Sequence, residues 1–218
     1  MEAIISLLLR IAFWALPILI AVVLHELAHG YVAFRLGDPT AARMGRLTLN
    51  PLAHVDPFGT VLLPLLLLLS GAPFLFGYAK PVPVNFLNLR HPRRDMVYVA
   101  VAGPTMNLLL AGLSALTLKT LLSLQVPTNG LLVSSLAVLV LMIQHSIVIN
   151  VALAVFNLFP LPPLDGGRVA TGLLPPQPAL ALARLEPYGI LILMVLLITG
   201  IVGDFLRPIM VFVLQTLL

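Results

Sequence analysis

The sequence predicts an all-helical polytopic membrane protein. Hydrophobic residues make up 60% of the 218-residue chain and charged residues only 9%, whereas a soluble domain carries roughly 25% charged residues. Long apolar runs recur along the chain, as expected of helices that cross a bilayer. Nineteen prolines and fifteen glycines predict broken helices and irregular loops at membrane depth. We expect about five to six transmembrane helices, one short or re-entrant, with small membrane-associated β elements.

The polar residues exclude some classes of function. The formal charge of +4 comes without a face rich in lysine, arginine and aromatic residues, so nucleic-acid binding is not expected. The chain has no cysteine, and any metal site must therefore use His, Asp or Glu. The partners that remain are the lipid bilayer and a membrane-embedded substrate or ligand. The oligomeric state does not follow from the sequence.

The first helix is predicted from about Ile4 to Leu36, with Pro17 inside it. Gly37 and Pro39 end the apolar run. Residues 43–50 show a short alternation of apolar and polar side chains, which is typical of a β element.

The next apolar run, Gly59 to Leu69, has about eleven residues and is too short to cross a bilayer as a helix. We favour a re-entrant half-helix, and a tilted full span that uses Phe74 to Phe76 is the alternative. Residues 77–85 are predicted to be extended because Pro81 and Pro83 forbid a helix. Proline also suits an edge strand, so this segment is the second expected β element.

The remaining helices follow from apolar runs and the breaks between them. The connector at 125–130 is short, and prolines break the chain at 160–163 and at 175–178. The predicted helices are Met96 to Leu124, Leu131 to Phe159, a short helix from Asp165, Tyr188 to Val202, and Phe205 to Leu217. We interpret residues 1–218 as a single membrane domain, with a motif-bearing core at about 20–170 and C-terminal helices at about 188–217.

The distribution of basic residues predicts the orientation. Arg35 lies at the end of the first helix, six more basic residues fall between that helix and the helix from Met96, and two follow the helix that ends near Phe159. Since cytoplasmic loops carry the excess of Lys and Arg, we expect these loops on the cytoplasmic side. Small size and short loops indicate a prokaryotic plasma membrane.

The most informative motif is His-Glu-x-x-His at residues 25–29, in a stretch that is otherwise almost wholly apolar. Ionisable groups are costly in hydrocarbon and mark functional sites there. On a helix, His25 and His29 share a face and can hold one ion, and Glu26 lies close enough to act on a water beside it. The pattern therefore predicts a zinc hydrolase site inside a membrane helix.

A catalytic zinc usually takes three protein ligands, so a third must come from elsewhere in the chain. The candidates are Asp38, Asp56, Asp95, Asp165, Glu186, Asp204, His54, His91 and His145. Asp165 is distinctive because prolines precede it and Gly166 and Gly167 follow it, which lets the backbone approach other groups closely. From the spacing alone, Asp165 fits a metal ligand and a helix N-cap equally well.

Three motifs in order resemble the site-2 protease family of intramembrane zinc metalloproteases, the M50 type. They are residues 25–29, the Gly-Pro-Thr-Met-Asn segment at 103–107, and residues 157–167, which begin with Asn157 and contain Leu-Asp-Gly-Gly at 164–167. The resemblance covers about residues 20–170. It implies that Asp165 is the third ligand of one Zn²⁺ per chain and that Glu26 is the general base. It also implies that residues 43–50 and 77–85 correspond to the family's β elements, which present an extended substrate strand.

Asn157 has two possible roles. It precedes Asp165 closely enough to face the same cavity, where its amide could hydrogen-bond a substrate carbonyl or an oxyanion. The alternative is hydrogen bonding between helices, which is common for Asn in membrane proteins.

The function expected is a zinc endopeptidase that hydrolyses peptide bonds of membrane-spanning substrates, as in regulated intramembrane proteolysis. The alternative is a non-proteolytic membrane metal-binding or transport protein, or an inactive relative that acts as a scaffold. We find no internal repeat of the kind that transporters show.

Overall fold

The computed structural model describes residues 2–71, 77–123 and 131–218 of the chain. The α-helices in these ranges are α1 Glu2–Arg35, α2 Thr40–Arg43, α3 Leu63–Leu69, α4 Pro92–Ser123, α5 Leu131–Asn157, α6 Asp165–Leu173, α7 Pro176–Ala183, α8 Gly189–Ile198 and α9 Ile201–Leu217. Short 3-10 turns at Pro51–His54, Phe86–Asn88 and Glu186–Tyr188, and a π-helical segment at Pro57–Leu62, lie between them.

Four helical stretches within the described ranges are long and apolar enough to cross a membrane, which makes the chain an integral membrane protein. They are Phe13–Arg35, Pro92–Ser123, Ser135–Asn157 and the run Pro176–Ile198, which joins α7 and α8 through a 3-10 turn. The sequence predicts about five to six spans, which is more than these four. Two further apolar helices, α9 with 17 residues and α3 with 7, are shorter than the four.

The helix α1 ends in a glycine-capped turn, which fixes the residue at which the following loop begins. Gly37 adopts a φ of +115°, a backbone conformation that side chains disfavour. The Asp38 N–H bonds the Ala33 carbonyl at 2.9 Å and the Gly37 N–H bonds the Phe34 carbonyl at 3.2 Å, which is the Schellman pattern. The predicted end of this helix is thus found within one residue.

The helix α4 is central, since it packs against α1, α5 and α6. It starts at Pro92, four residues before the predicted Met96. Proline is favourable at the first helical position because its fixed φ suits the helix and its missing N–H is not needed there. Farther along, α4 continues through Pro104 without a break in the assigned helix.

The short apolar run forms a helical segment over Pro57–Leu69, π-helical and then α-helical. Asp56 begins it, because its Oδ1 accepts hydrogen bonds from the N–H groups of Phe58 at 3.0 Å and Gly59 at 2.7 Å. None of the α3 side chains is buried. The segment is too short to span a bilayer as a helix. The alternative through Phe74 to Phe76 falls outside the described residues, as does the connector at 125–130.

The two expected β elements are not strands in the part of the chain that the structure describes. Residues 40–43 form α2 instead, and the rest of 43–50 is turn or irregular. Residues 77–85, which we call the covering segment, contain neither helix nor strand. Pro81 and Pro83 have no N–H to donate to a ladder, and no neighbouring strand is described.

The C-terminal helices pack with α5 around an apolar core. Val151 of α5, Leu193 of α8 and Leu206 of α9 are buried in one apolar cluster. The helices α8 and α9 are separated at Gly200, which has a φ of +80°. The break therefore comes earlier than the predicted one between Val202 and Phe205.

Candidate metal centre

The helix α1 places two imidazoles side by side. His25 and His29 are four residues apart, and their Nε2 atoms are 3.0 Å from each other. Both residues are buried, with exposures of 7% and 8%. The helical spacing predicted this shared face.

Asp165 meets the two imidazoles from a different part of the chain. Its Oδ2 lies 3.2 Å from each Nε2 atom. Asp165 is the first residue of α6 and makes no capping hydrogen bond, since Leu164 occupies the cap position. The N-cap alternative is therefore not what the structure contains.

Two glycines allow this approach. A Cβ on Gly166 would lie 2.2 Å from the Leu158 carbonyl oxygen, and one on Gly167 would lie 2.3 Å from the Pro162 nitrogen. Any larger residue would push the turn away from the chain that precedes it. The pair of glycines thus lets the turn fold back and bring Asp165 to the two imidazoles of α1.

Hydrogen bonds to the other ring nitrogens determine where the lone pairs point. His29 Nδ1 lies 2.7 Å from the Val99 carbonyl oxygen, which can only accept, so this nitrogen carries the hydrogen. His25 Nδ1 lies 2.6 Å from Asn107 Oδ1. In neutral rings, both Nε2 atoms then present lone pairs toward Asp165.

Three electron-pair donors aimed at one point repel each other unless a cation lies between them. The three ligand atoms lie within 4.8 Å of one another. Asp165 Oδ2 is buried and has no hydrogen-bond partner among the described residues. Two imidazoles and a carboxylate are a usual ligand set for catalytic zinc, and the residues fit this ion.

Gly103 of α4 provides the space for the two rings. A Cβ at this position would lie 2.3 Å from His29 Nε2 and 2.7 Å from His25 Nε2. The motif at 103–107 did not by itself indicate that Gly103 packs against the two imidazoles. The structure shows that Gly103 is next to the ligand atoms themselves.

Asn107 belongs to the motif at 103–107, but the sequence did not predict its contact with His25. Its amide nitrogen donates to Asn150 Oδ1 at 2.8 Å and to the Ala21 carbonyl at 3.3 Å, which leaves its oxygen to accept from His25. Asn107 is fully buried. Asn150 in turn donates to the Ser146 carbonyl at 2.9 Å. The position of Asn107 four residues after Gly103, on the same helix face, was the signal that could have identified it.

Glu26 and Asn157 face the same cavity, of about 600 Å³, as the three ligands. Glu26 Oε2 accepts a hydrogen bond of 2.8 Å from the Val82 N–H of the covering segment. The Asn157 amide nitrogen donates to the Leu153 carbonyl of its own helix at 2.9 Å. Asn157 thus lies at the cavity, and its role toward a substrate stays a prediction.

The other candidate ligands do not join this centre. Within the described ranges, His25, His29 and Asp165 form the one group of His, Cys, Asp and Glu arranged to hold a metal. His54 is buried and bonds the Thr48 carbonyl through Nε2 at 2.9 Å. Asp38 and Asp95 are also buried and accept hydrogen bonds from nearby loop groups.

Comparisons with known proteins find similarity to peptidases. The family model described as Peptidase family M50 matches residues 13–140 and 129–200. YwhC of Bacillus subtilis is 38% identical over 198 residues, covering 90% of this chain and 84% of the relative. Rip2 of Mycolicibacterium smegmatis is 34% identical, covering 88% of this chain and 67% of the relative. Both relatives carry the provisional name of zinc metalloprotease. No solved structure matches the chain.

Proposed function

The chain belongs to peptidase family M50 and is a zinc metalloprotease, and from this premise we propose that it hydrolyses peptide bonds within membrane-spanning substrates. The observation that carries the proposal is the depth of the ligands. The two histidines lie on α1 inside the apolar span Phe13–Arg35, and His29 is six residues from its end. At about 1.5 Å per residue, this places His29 roughly 9 Å inside that end.

His25, His29 and Asp165 are proposed to hold one zinc ion per chain. When bound, zinc acts as a Lewis acid that acidifies a water and polarises a carbonyl. Glu26 takes a proton from the attacking water and then gives it to the leaving amine. Asn157, at the wall of the same cavity, is proposed to donate a hydrogen bond to the carbonyl oxygen of the scissile bond.

A peptide bond inside a transmembrane helix is shielded by its own hydrogen bonds, so the substrate must unwind locally. The covering segment lines the cavity and can pair with an unwound backbone by strand addition. The N–H groups of residues 78, 80 and 82 already donate hydrogen bonds to other parts of this protein. On the opposite edge of the segment, Pro81 and Pro83 have no N–H, so we expect the N–H of Ala79 to bond the substrate backbone.

The location is proposed to be a prokaryotic plasma membrane, with the site nearer the cytoplasmic face. The basic loops and the bacterial origin of the relatives support this. Reporter fusions at the loop of residues 90–94 test the orientation, since an external location would contradict it. Residues 1–218 are proposed to act as one membrane domain.

The test is cleavage of a single-span reporter protein in liposomes by the zinc-loaded enzyme. We expect cleavage inside the span, loss with a zinc chelator, and a loss of roughly a thousandfold in Glu26→Gln with zinc content unchanged. Glu186→Gln, which changes an exposed carboxylate, is the matched control. Cleavage by Glu26→Gln at the wild-type rate would remove the role of Glu26. Cleavage only outside the span would refute the membrane-spanning substrate.

A further inference from the structure

The covering segment is attached to the protein through every second backbone amide. The Tyr78 N–H donates to the Gly59 carbonyl at 3.0 Å, and the Lys80 N–H donates to the His54 carbonyl at 2.9 Å. The Val82 N–H continues the series, donating to Glu26 Oε2 at 2.8 Å. The period of two is that of an extended chain, which directs alternate amides to one edge.

The third of these bonds differs from the first two in its acceptor. A side-chain carboxylate of the metal-bearing helix replaces a backbone carbonyl. Within the part of the chain that the structure describes, Val82 supplies the one hydrogen bond to this carboxylate. A hydrogen bond with an ionised acceptor is stronger than one between neutral groups.

The packing around Val82 fixes where its amide lies. Val82 is buried, with an exposure of 6%. It rests on Gly30, four residues after Glu26, so closely that a Cβ on Gly30 would lie 2.6 Å from Val82 Cγ1. A second side chain, Leu47, would be equally close to that Cβ. The apolar contacts of the Val82 side chain thus add to the hydrogen bond in holding the amide against α1.

We propose that the Val82 backbone N–H is a positioning group for Glu26. It holds one carboxylate oxygen in place, and the other oxygen is directed to the cavity where the water and substrate react. The same bond attaches the covering segment to the base, so the docking of that segment and the orientation of Glu26 are coupled. The kinetic part of this inference rests on the proposed function, and the structural coupling does not.

The coupling is tested first without catalysis, by hydrogen–deuterium exchange on metal-free protein in nanodiscs. Glu26→Gln keeps an oxygen that accepts from Val82, whereas Glu26→Ala removes it. We expect residues 77–85 to exchange as slowly in Glu26→Gln as in wild type, and about tenfold faster in Glu26→Ala. Equal exchange in wild type and Glu26→Ala overturns the coupling. This arm needs no substrate, so its outcome is separate from the failure of the proposed function.

The positioning role is tested by Val82→Pro, which removes the N–H where the chain already reads Pro-Val-Pro. Val82→Ala keeps the N–H and shortens the side chain. Val84→Pro adds a proline where the described residues show no acceptor for the amide. We expect kcat to fall by about tenfold to a hundredfold in Val82→Pro, with its KM and zinc content near those of wild type, and to fall by clearly less in Val82→Ala and Val84→Pro.

A wild-type kcat in Val82→Pro overturns the positioning role. An equal loss in Val84→Pro overturns it as well, because the effect would then be a general disturbance of the segment. If Val82→Pro does not fold, the exchange comparison of the two Glu26 variants decides whether the covering segment and Glu26 are coupled.

Discussion

The metal centre and the covering segment face the same cavity but are held in different ways. The three proposed ligands come from α1 and α6, which both pack on α4, and their exposures are 7–8%. The covering segment has no regular structure, and Gly77, Lys80, Pro81 and Asn85 within it are exposed. Its attachments are backbone amides and a few loop side chains, among them Arg46, which donates to the Lys80 carbonyl at 3.0 Å.

The difference separates two requirements of a protease. Ligand geometry must be fixed before substrate arrives, and helices packed around buried polar groups achieve this. A segment that receives an unwound substrate must be able to adjust, and regions with few buried contacts open at low free energy. Variants in the two regions are therefore expected to have different effects, and the following predictions are ordered by size.

The largest effect is expected for Asp165→Ala, which removes the ligand that comes from outside α1. Zinc affinity should fall on the order of a thousandfold, because two imidazoles remain. Bound zinc in detergent-purified protein, compared with wild type, measures this. Asp204→Ala is the control, since Asp204 is exposed on α9. Unchanged zinc in Asp165→Ala would place the third ligand elsewhere, with His54 tested next.

Gly103→Ala should affect the metal centre without altering a ligand. The added methyl group would lie 2.3 Å from His29 Nε2, so the rings must shift and zinc affinity should fall roughly a hundredfold. Gly112→Ala, in the same helix with nothing within 4 Å of the new Cβ, is the matched control. Zinc titration of both variants compares them. Equal zinc affinity in the two would show that the site tolerates the methyl group and would contradict this packing.

Asn107→Leu tests the hydrogen bond that orients His25. Loss of the acceptor should lower zinc affinity by roughly 10–100-fold, as for other groups that orient a metal-bound His. Asn150→Leu removes a group one step farther from the metal, and its effect should be smaller. Zinc titration ranks the two variants. A larger loss in Asn150→Leu would mean that packing, and not ring orientation, controls the site.

The smallest effect on zinc is expected for Asp38→Asn, which weakens the end of the covering segment. Asp38 is fully buried and accepts from the Asn85 N–H at 2.7 Å, from Asn88 Nδ2 at 2.9 Å and from Thr40. We expect a loss of about 1–3 kcal/mol in the free energy of unfolding, with zinc content unchanged. Thermal unfolding and zinc content measure the two quantities, and Asp204→Asn is the control. A zinc loss as large as that of Asn107→Leu would mean that the two regions are not separable.

The contribution of Asp38 should also depend on pH. Burial raises its pKa, but hydrogen bonds from Thr40, Asn88 and Asn85 outweigh burial and hold the pKa below its usual range. The unfolded pKa is about 3.9, so the stabilisation is present above that pH and is lost as the pH falls through the lower folded value. Thermal unfolding between pH 7 and pH 3 should show a steeper loss in wild type than in Asp38→Asn. Equal slopes would contradict the shift.

The sequence by itself determined the features that depend on local pattern. Apolar runs predicted the long helices to within a few residues at most ends, because burial in lipid requires backbone hydrogen bonds to close within each helix. Helical periodicity placed His25 and His29 on one face. The prolines and glycines around Asp165 left two alternatives open, and the family resemblance then favoured the metal ligand. The β elements were predicted from alternation at 43–50 and from the prolines at 77–85, and the described residues contain no strand there because a strand needs a partner.

Tertiary structure alone decided what depends on the meeting of distant segments. The convergence of Asp165 with the two imidazoles, the Asn107 bond to His25 and the Val82 bond to Glu26 join residues 140, 82 and 56 positions apart. Nothing in local propensity specifies such contacts, since an aspartate, an asparagine and a valine fit many helices and loops equally well. These contacts form when α4 packs against α1 and the covering segment lies over α1, because only then are the hydrogen-bonding groups within reach of one another.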